Sequence, residues 1–206
     1  MSDRDVKLSK TLSWVLRHGA TQVGLQLDPG GFLPVDEVLR LPQLEGFTQL
    51  DVERVTQTNR KGRFAIETSP IDGRLRIRAN QGHSLQVENL DLTPITSVQE
   101  CPIAIHGTQS QLWSKIRARG LNRMTRQHIH MASGRPNSNG VISGMRTNCD
   151  LLIYIDVRKV LEFGLKLFRS ANGVILCPGD RDGFLSVEFF ERVVRIENGA
   201  DTEVSI

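Results

Sequence analysis

CPIAIHGT, residues 101–108, and RQHIHMA, residues 126–132, are the runs that organise the second half of this 206-residue chain. Both are short and apolar enough to read as β-strands, and each carries histidine: His106 in the first, His128 and His130 in the second. They lie within the 49 residues from Cys101 to Cys149, which hold seven Lys or Arg and no Asp or Glu. The cations are Lys115, Arg117, Arg119, Arg123, Arg126, Arg135 and Arg146. A charge run is usually only a solvated face. Solvated faces mix signs, however, so a long stretch without carboxylates points to a bound anion.

The composition, 39% hydrophobic and 24% charged, is that of a globular protein of one large domain or two small ones. No apolar run approaches the roughly 18 residues that a membrane span needs. MSDRDVKLSK at the start lacks a signal-peptide core. Cys101, Cys149 and Cys177 form no Cys-x-x-Cys pair, which argues against a disulfide framework or zinc site and for a reducing compartment. The expectation is an intracellular protein, cytoplasmic or nuclear, with no membrane partner and with its cysteines in the core.

Charge is distributed unevenly. Residues 1–97 hold 12 basic and 12 acidic residues, and residues 98–206 hold 14 and 11. Further acid-free windows run over 6–27, 54–66 and 73–87. Local basic patches on a balanced protein suggest an anion gripped at a site, where uniform basicity would suggest coating a polyanion.

From the N-terminus, KLSKTLSWVLRHG has Leu8, Leu12, Val15 and Leu16 at helical spacing and Gly19 as a stop. Arg17 and His18 fall in its last turn, where a cation can simply complement the helix dipole. GGFLPVDEVLRLP predicts a turn, an extended piece and a short helix from about Val35 to Pro42. FTQLDVERVTQTN predicts a third helix, capped by Thr48, with Leu50, Val52 and Val55 inward. RFAIE and RLRIR then alternate around the turn SPIDG as a hairpin, with Arg74, Arg76 and Arg78 on one face. Three helices and a basic hairpin are the order of a winged-helix module, an analogy at fold level. The loop ANQGHS beyond it is richer in hydrogen-bonding groups than a connector needs.

LQVENLDLTPITSVQE, residues 85–100, reads as a linker, with the domain boundary near 97. The second half predicts strands near 103–106, 128–132, 151–156, 166–169 and 173–177. Helices are expected near 109–118 (Leu112 and Ile116 inward), at 139–147 and at 157–162. LLIYI suits a strand buried on both faces, and FLSVEFFERVVRI supplies a last strand or helical turn. The expected class is α+β.

Gly-x-Gly-x-x-Gly, a Walker loop and Gly-x-Ser-x-Gly are all missing. His128 and His130 share a strand face but have no third acidic or Cys ligand nearby, so no metal is expected. What remains is Arg, His and small polar residues. A guanidinium fork matches phosphate oxygens, and a protonated imidazole can donate to a leaving oxygen.

LSKTLSWVLRHG (8–19), TNRKGRF (58–64), IRANQGHS (77–84), HGT (106–108), RQHIHMA (126–132) and RSANGVIL (169–176), in this order, resemble the RNA 2′-phosphotransferases. The resemblance spans nearly the whole chain. It implies an N-terminal winged-helix RNA lobe, 1–97, and a C-terminal NAD-binding lobe of the ADP-ribosyltransferase fold, 98–206. It also implies that the two close a carboxylate-poor cleft. The implied reaction removes an internal RNA 2′-phosphate, as at a tRNA splice junction. The phosphate attacks the nicotinamide ribose of NAD and releases nicotinamide. The ribose 2″-hydroxyl of the ADP-ribosylated RNA then attacks phosphorus, giving 2′-OH RNA and ADP-ribose 1″,2″-cyclic phosphate.

The resemblance places the catalytic set on Arg17, His18, Arg63 and Arg126. The arginines would clamp the phosphate, and His18 would act as general acid or phosphate contact in the second step. Lys61, Asn80, Gln81 and His83 would contact RNA. His106, Gly107, Thr108, His130, Ser170, Asn172, Gly173 and Val174 would bind NAD, which is consumed as co-substrate, and no metal is implied. Val174 stands where many ADP-ribosyltransferases carry a catalytic Glu. A phosphate monoester, with a second pKa of about 6, is already largely dianionic near neutrality and needs no such base. Met131 replaces the family's usual Leu, a volume-conserving exchange. The partners expected are NAD and a 2′-phosphorylated RNA such as spliced tRNA, the protein acting as a monomer. Two alternatives stay open: an ADP-ribosyltransferase acting on terminal phosphates of nucleic acid, and a non-catalytic winged-helix RNA-binding protein.

Overall fold

The computed structural model describes every residue except Met1, 137–140, Ile142, Arg146, Thr147 and Asn198. The chain divides into two compact units, Met1–Asp91 and Leu92–Ile206. The division falls before residue 97 because part of the expected linker is a strand. Leu92–Ile95 pairs antiparallel with Leu167–Ser170, and Pro94 is tolerated there because the strand lies at a sheet edge.

In the first unit, helix α1 (Asp3–Trp14) starts on a capping box. Ser2 Oγ accepts from Asp5 N, and the Asp5 carboxylate accepts from Ser2 N, each at 3.2 Å. The helix continues as a π-helical turn, Val15–Gly19, a departure from α geometry that often marks functional sites. Strand β1 (Phe32–Pro34), helix α2 (Val35–Leu39) and helix α3 (Gln49–Thr58) follow, then strands β2 (Phe64–Thr68) and β3 (Leu75–Ala79). The strands form one antiparallel sheet in the order β1-β3-β2. Leu8, Leu12, Leu16, Leu33, Val38, Val52, Val55 and Ile77 fill the core between helices and sheet.

Thr48 caps α3 as expected, but Leu50 is 72% exposed. At about 100° per residue it points away from Val52 and Val55, which share the buried face. The hairpin arginines are not an open basic face either. Arg74 pairs with Asp36 and Glu37, Arg76 with Asp28 and Glu67, and Arg78 with Asp91. Arg76 and Arg78 also stack on the Phe32 ring at 4.3 and 4.7 Å. Folding brings carboxylates to windows that hold none in sequence.

The second unit begins with β4 (Leu92–Ile95), β5 (Ile105–Thr108), α4 (Trp113–Arg119), β6 (Leu121–Asn122) and β7 (Ile129–Met131). It continues with β8 (Leu151–Ile155), α5 (Val157–Glu162), β9 (Leu167–Ser170), β10 (Ile175–Cys177), β11 (Phe184–Leu185), β12 (Phe190–Glu197) and β13 (Ala200–Val204). Its main sheets run β4-β9-β10-β7 and β13-β12-β8-β5, with a small β11-β6 ribbon beside them. The two sheets meet where Ile105 and Ala132 exchange backbone hydrogen bonds of 2.9 and 2.8 Å. All five residues of β8 are buried, although its pairing with β5 and β12 is antiparallel. Leu151, Ile153 and Ile155 join the main core, and Leu152 and Tyr154 a smaller one on the other face.

Before α4, Ser110–Leu112 is a single 3₁₀ turn. Its tighter winding shifts the helical phase, so Trp113 is buried and Leu112 is 40% exposed. The chain end resolves into a strand pair, β12 with β13. The helix expected at 139–147 falls largely outside the described residues. Cys101 and Cys177 are buried, and Cys149 is half-buried. Among the described residues no helix is long and apolar enough to cross a membrane. The α+β class holds throughout.

Candidate active site

In the first unit, three separate stretches of sequence converge. The π-helical turn presents Arg17 and His18, both half-buried. The loop after β3, residues 80–84, packs against it. Ser84 N and Leu85 N both donate to the Arg17 carbonyl, at 2.9 and 3.3 Å. His18 Nδ1 lies 2.9 Å from Ser84 Oγ. Gly82, at φ +93°, comes so close that a Cβ there would meet Arg17 Nε at 3.3 Å. Glycine is needed here for its backbone conformation and for the close approach.

The third stretch is the turn between α3 and β2. Asn59 Oδ1 accepts from the backbone N–H groups of Lys61 and Arg63 at 3.1 and 3.4 Å. Its Nδ2 donates to the buried Ser9 Oγ at 3.3 Å, tying the turn to α1. Just after β3, Asn80 N donates to the Arg63 carbonyl at 2.9 Å, and Asn80 Nδ2 to the Gly62 carbonyl at 2.7 Å. Asn80 Oδ1 is buried with no hydrogen-bond partner among the described residues. A buried polar atom left in this way is suited to a donor from outside the protein. Half-buried Arg63 has its pKa lowered by burial, though a guanidinium stays charged. It forms no ion pair among the described residues, whereas Arg54 in the same window holds Asp5 and Asp51 at 2.8 and 2.7 Å.

Gln81 and His83, which the motif resemblance puts with RNA beside Asn80, are buried as Asn80 is. His83 packs beside Gly31, inside the unit. Asn59 and Ser84 are site residues that sequence reasoning misses. Each sits in a motif beside an Arg or His, a weak signal, and the bonds of Asn59 to Ser9 and of Ser84 to His18 span 50 and 66 residues of sequence.

In the second unit, His106 on β5 donates from Nδ1 to the His130 carbonyl on β7 at 2.9 Å. A carbonyl only accepts, so the ring carries its proton on Nδ1. Burial pushes the His106 pKa down, the carbonyl bond opposes this, and the charge of Arg126 lowers it further. Arg126 is exposed, at the end of a turn closed by Arg126 N donating to Arg123 O at 3.1 Å. His128 is pushed down to about 4 by burial and by Arg123, with its ring edge-on to Phe168.

Gly107 is constrained by its surroundings: a Cβ there would meet Cys149 Sγ at 2.9 Å and Met145 Cβ at 3.0 Å. Ser170, Asn172, Gly173 and Val174 form the turn between β9 and β10. Ser170 Oγ donates to Asn172 Oδ1 at 2.8 Å and accepts from Val174 N at 3.1 Å. Val174 is wholly buried, so it joins the turn through its backbone. Gly173, at φ +78°, has nothing within 4 Å of where a side chain would begin. Ile175 pairs with Met131, so the turn lies level with Ala132, where β5 joins β7. The strand meeting point and this turn give a polar edge of neutral imidazole, hydroxyl, amide and open backbone.

A guanidinium and an imidazole on one turn, buttressed by a polar loop, with a second guanidinium on an Asn-braced turn, define a protein built to handle phosphate. The chain belongs to the RNA 2′-phosphotransferase family, Tpt1 / KptA, whose model matches residues 3–179. Among its relatives, tRNA 2′-phosphotransferase 1 of Danio rerio is 50% identical over 94% of this chain and 87% of the relative. The Homo sapiens protein of that name is 48% identical, covering 94% and 77%. The tRNA 2′-phosphotransferase of Saccharomyces cerevisiae is 39% identical, covering 97% and 88%.

Proposed function

We propose that this enzyme removes an internal 2′-phosphate from RNA, as at a tRNA splice junction, with NAD consumed as co-substrate. The products are 2′-OH RNA, ADP-ribose 1″,2″-cyclic phosphate and nicotinamide. The observation that carries this reading is the convergence of Arg17, His18, Arg63 and the Asn80–Ser84 loop within the first unit. In this reading the unit is a winged-helix RNA module, and the second is an ADP-ribosyltransferase-like NAD module.

Arg17 and Arg63 hold the phosphate oxygens and spread the charge that develops in transfer, the dominant contribution expected in phosphoryl chemistry, and the family resemblance assigns Arg126, in the second unit, to phosphate as well. Lys61 and Asn80 orient the RNA. NAD supplies the electrophilic ribose carbon that the phosphate attacks. His106, Gly107, Thr108 and His130 hold that ribose and its amide, with Ser170, Asn172 and Gly173 at the neighbouring turn. Neutral His106 can neither repel the cationic nicotinamide ring nor protonate the phosphate nucleophile. His18 delivers a proton to the RNA 2′-oxygen when the phosphorus–oxygen bond breaks in the second step.

The test incubates the protein with NAD and an RNA oligonucleotide carrying one internal 2′-phosphate, beside the same oligonucleotide without it. Nicotinamide release and a 2′-OH product only with the first RNA are expected. Equal release with both, or a stable ADP-ribosylated RNA as end product, overturns the reading.

A further inference from the structure

The geometry points to Ser84 as a positioning residue that selects the tautomer in which His18 delivers its proton, a role that rests on the reaction proposed above. Ser84 Oγ lies 2.9 Å from His18 Nδ1 and 3.4 Å from the Arg17 carbonyl. The main chain fixes this placement, because Ser84 N donates to the same carbonyl at 2.9 Å. The φ of +93° at Gly82 brings the loop against the Arg17 side chain. The backbone therefore holds the hydroxyl within reach of both the imidazole and the carbonyl.

A serine hydroxyl has one proton and two acceptor lone pairs. If its proton goes to the Arg17 carbonyl, the oxygen accepts from His18 Nδ1–H, and exchange takes place at Nε2. If it goes to Nδ1, the ring must be neutral with its proton on Nε2. Only the first arrangement serves an acid throughout. Imidazolium carries protons on both nitrogens, so it can only donate to Oγ. After Nε2 has given its proton away, the Nδ1–H bond to Oγ is unchanged and nothing need rotate.

In the second step the 2″-hydroxyl oxygen bonds to phosphorus and its proton passes to solvent. The bond from phosphorus to the RNA 2′-oxygen breaks with its electron pair on oxygen, which takes the Nε2 proton. Ser84 thus resembles the hydrogen-bond partners that fix the tautomer of other functional histidines.

The experiment uses the full chain labelled with ¹⁵N-histidine. Ring nitrogen shifts of neutral His18 should report the Nδ1–H tautomer in the wild type and a mixture in Ser84→Ala. With NAD and the 2′-phosphorylated oligonucleotide, Ser84→Ala should lower kcat about tenfold, as loss of such an orienting partner does, with KM for RNA little changed and ADP-ribosylated RNA accumulating. Ser84→Thr, which restores the hydroxyl, should restore kcat. A wild-type Nε2–H tautomer, wild-type kcat in Ser84→Ala, or Ser84→Thr as slow as Ser84→Ala would each overturn the role. If the wild type releases no nicotinamide, the reaction itself fails, and the tautomer measurement still decides whether Ser84 controls His18.

Discussion

His106 Nδ1 and the carbonyl of His130 are 2.9 Å apart, and this bond ties β5 to β7 beside the Ile105–Ala132 junction. It fixes both the ring plane and the tautomer of His106. If NAD is consumed as proposed above, replacing His106 by Ala should reduce nicotinamide release about a hundredfold, the usual cost of losing one preorganised polar group. The NAD concentration giving half-maximal rate should rise too, while circular dichroism stays native. Unchanged kinetics would remove His106 from the site.

Arg63 is held by backbone contacts on both sides of its turn, from Asn59 and from Asn80. These bonds place the main chain from which the guanidinium fork extends, and a fork that grips phosphate should not be replaceable by a point charge. Arg63→Lys should lose at least about tenfold in turnover, on the scale of one charge-assisted hydrogen bond at about 1.5–3 kcal/mol. Retention of full turnover would show that only charge matters there.

The lowered pKa values give stability a definite pH dependence. His128 titrates at about 4 in the folded protein against 6.5 for the unperturbed group. Between those values the unfolded chain binds a proton that the folded one refuses, so stability falls as pH drops from 6.5 to about 4. Neither state changes His128 protonation above or below that window, and His106 acts in the same direction. Asp51, held at about 2 by the Thr48 backbone and by Arg54, adds a second loss as pH falls from 3.8 toward 2. Thermal midpoints measured across this range should decline in both windows, and His128→Gln should flatten the upper one. An unchanged upper slope in that variant would contradict burial of His128 as a neutral ring.

Gly120 ends α4 at φ 83°, ψ −179°, and a Cβ there would collide with the Leu185 carbonyl oxygen. That backbone region is essentially closed to other residues. Gly120→Ala should destabilise by about 3 kcal/mol or more, combining backbone strain with a clash against main chain. Gly164, at φ +89°, has no atom within 4 Å of where a Cβ would sit. Gly164→Ala should cost only about 1–2 kcal/mol, the backbone strain alone. Chemical denaturation of the pair measures the difference, and equal costs would refute the clash.

Much of the fold is legible in the sequence because local chemistry dictates it. The Thr48 cap, the hairpin around SPIDG and the buried LLIYI strand follow from spacing and turn residues that act within a few positions. Leu50 departs from expectation because helical phase turns it away from Val52 and Val55, and Leu112 and the linker at 85–100 depart because adjoining structure decides them. A 3₁₀ turn shifts the phase before Trp113, and β9 recruits Leu92–Ile95 into its sheet. The arginines of RLRIR depart for the same reason, since their carboxylate partners lie as far away as Asp28 and Asp36.

By itself the sequence determined the family, the α+β class and the cations and histidines available for phosphate chemistry, because motif identity and short-range periodicity are written residue by residue. Only the tertiary structure decided which cations are already paired, which polar residues are buried, and that Ser84 meets His18 while Asn59 braces Arg63. Hydrogen bonds reach about 3 Å through space and take no account of distance along the chain.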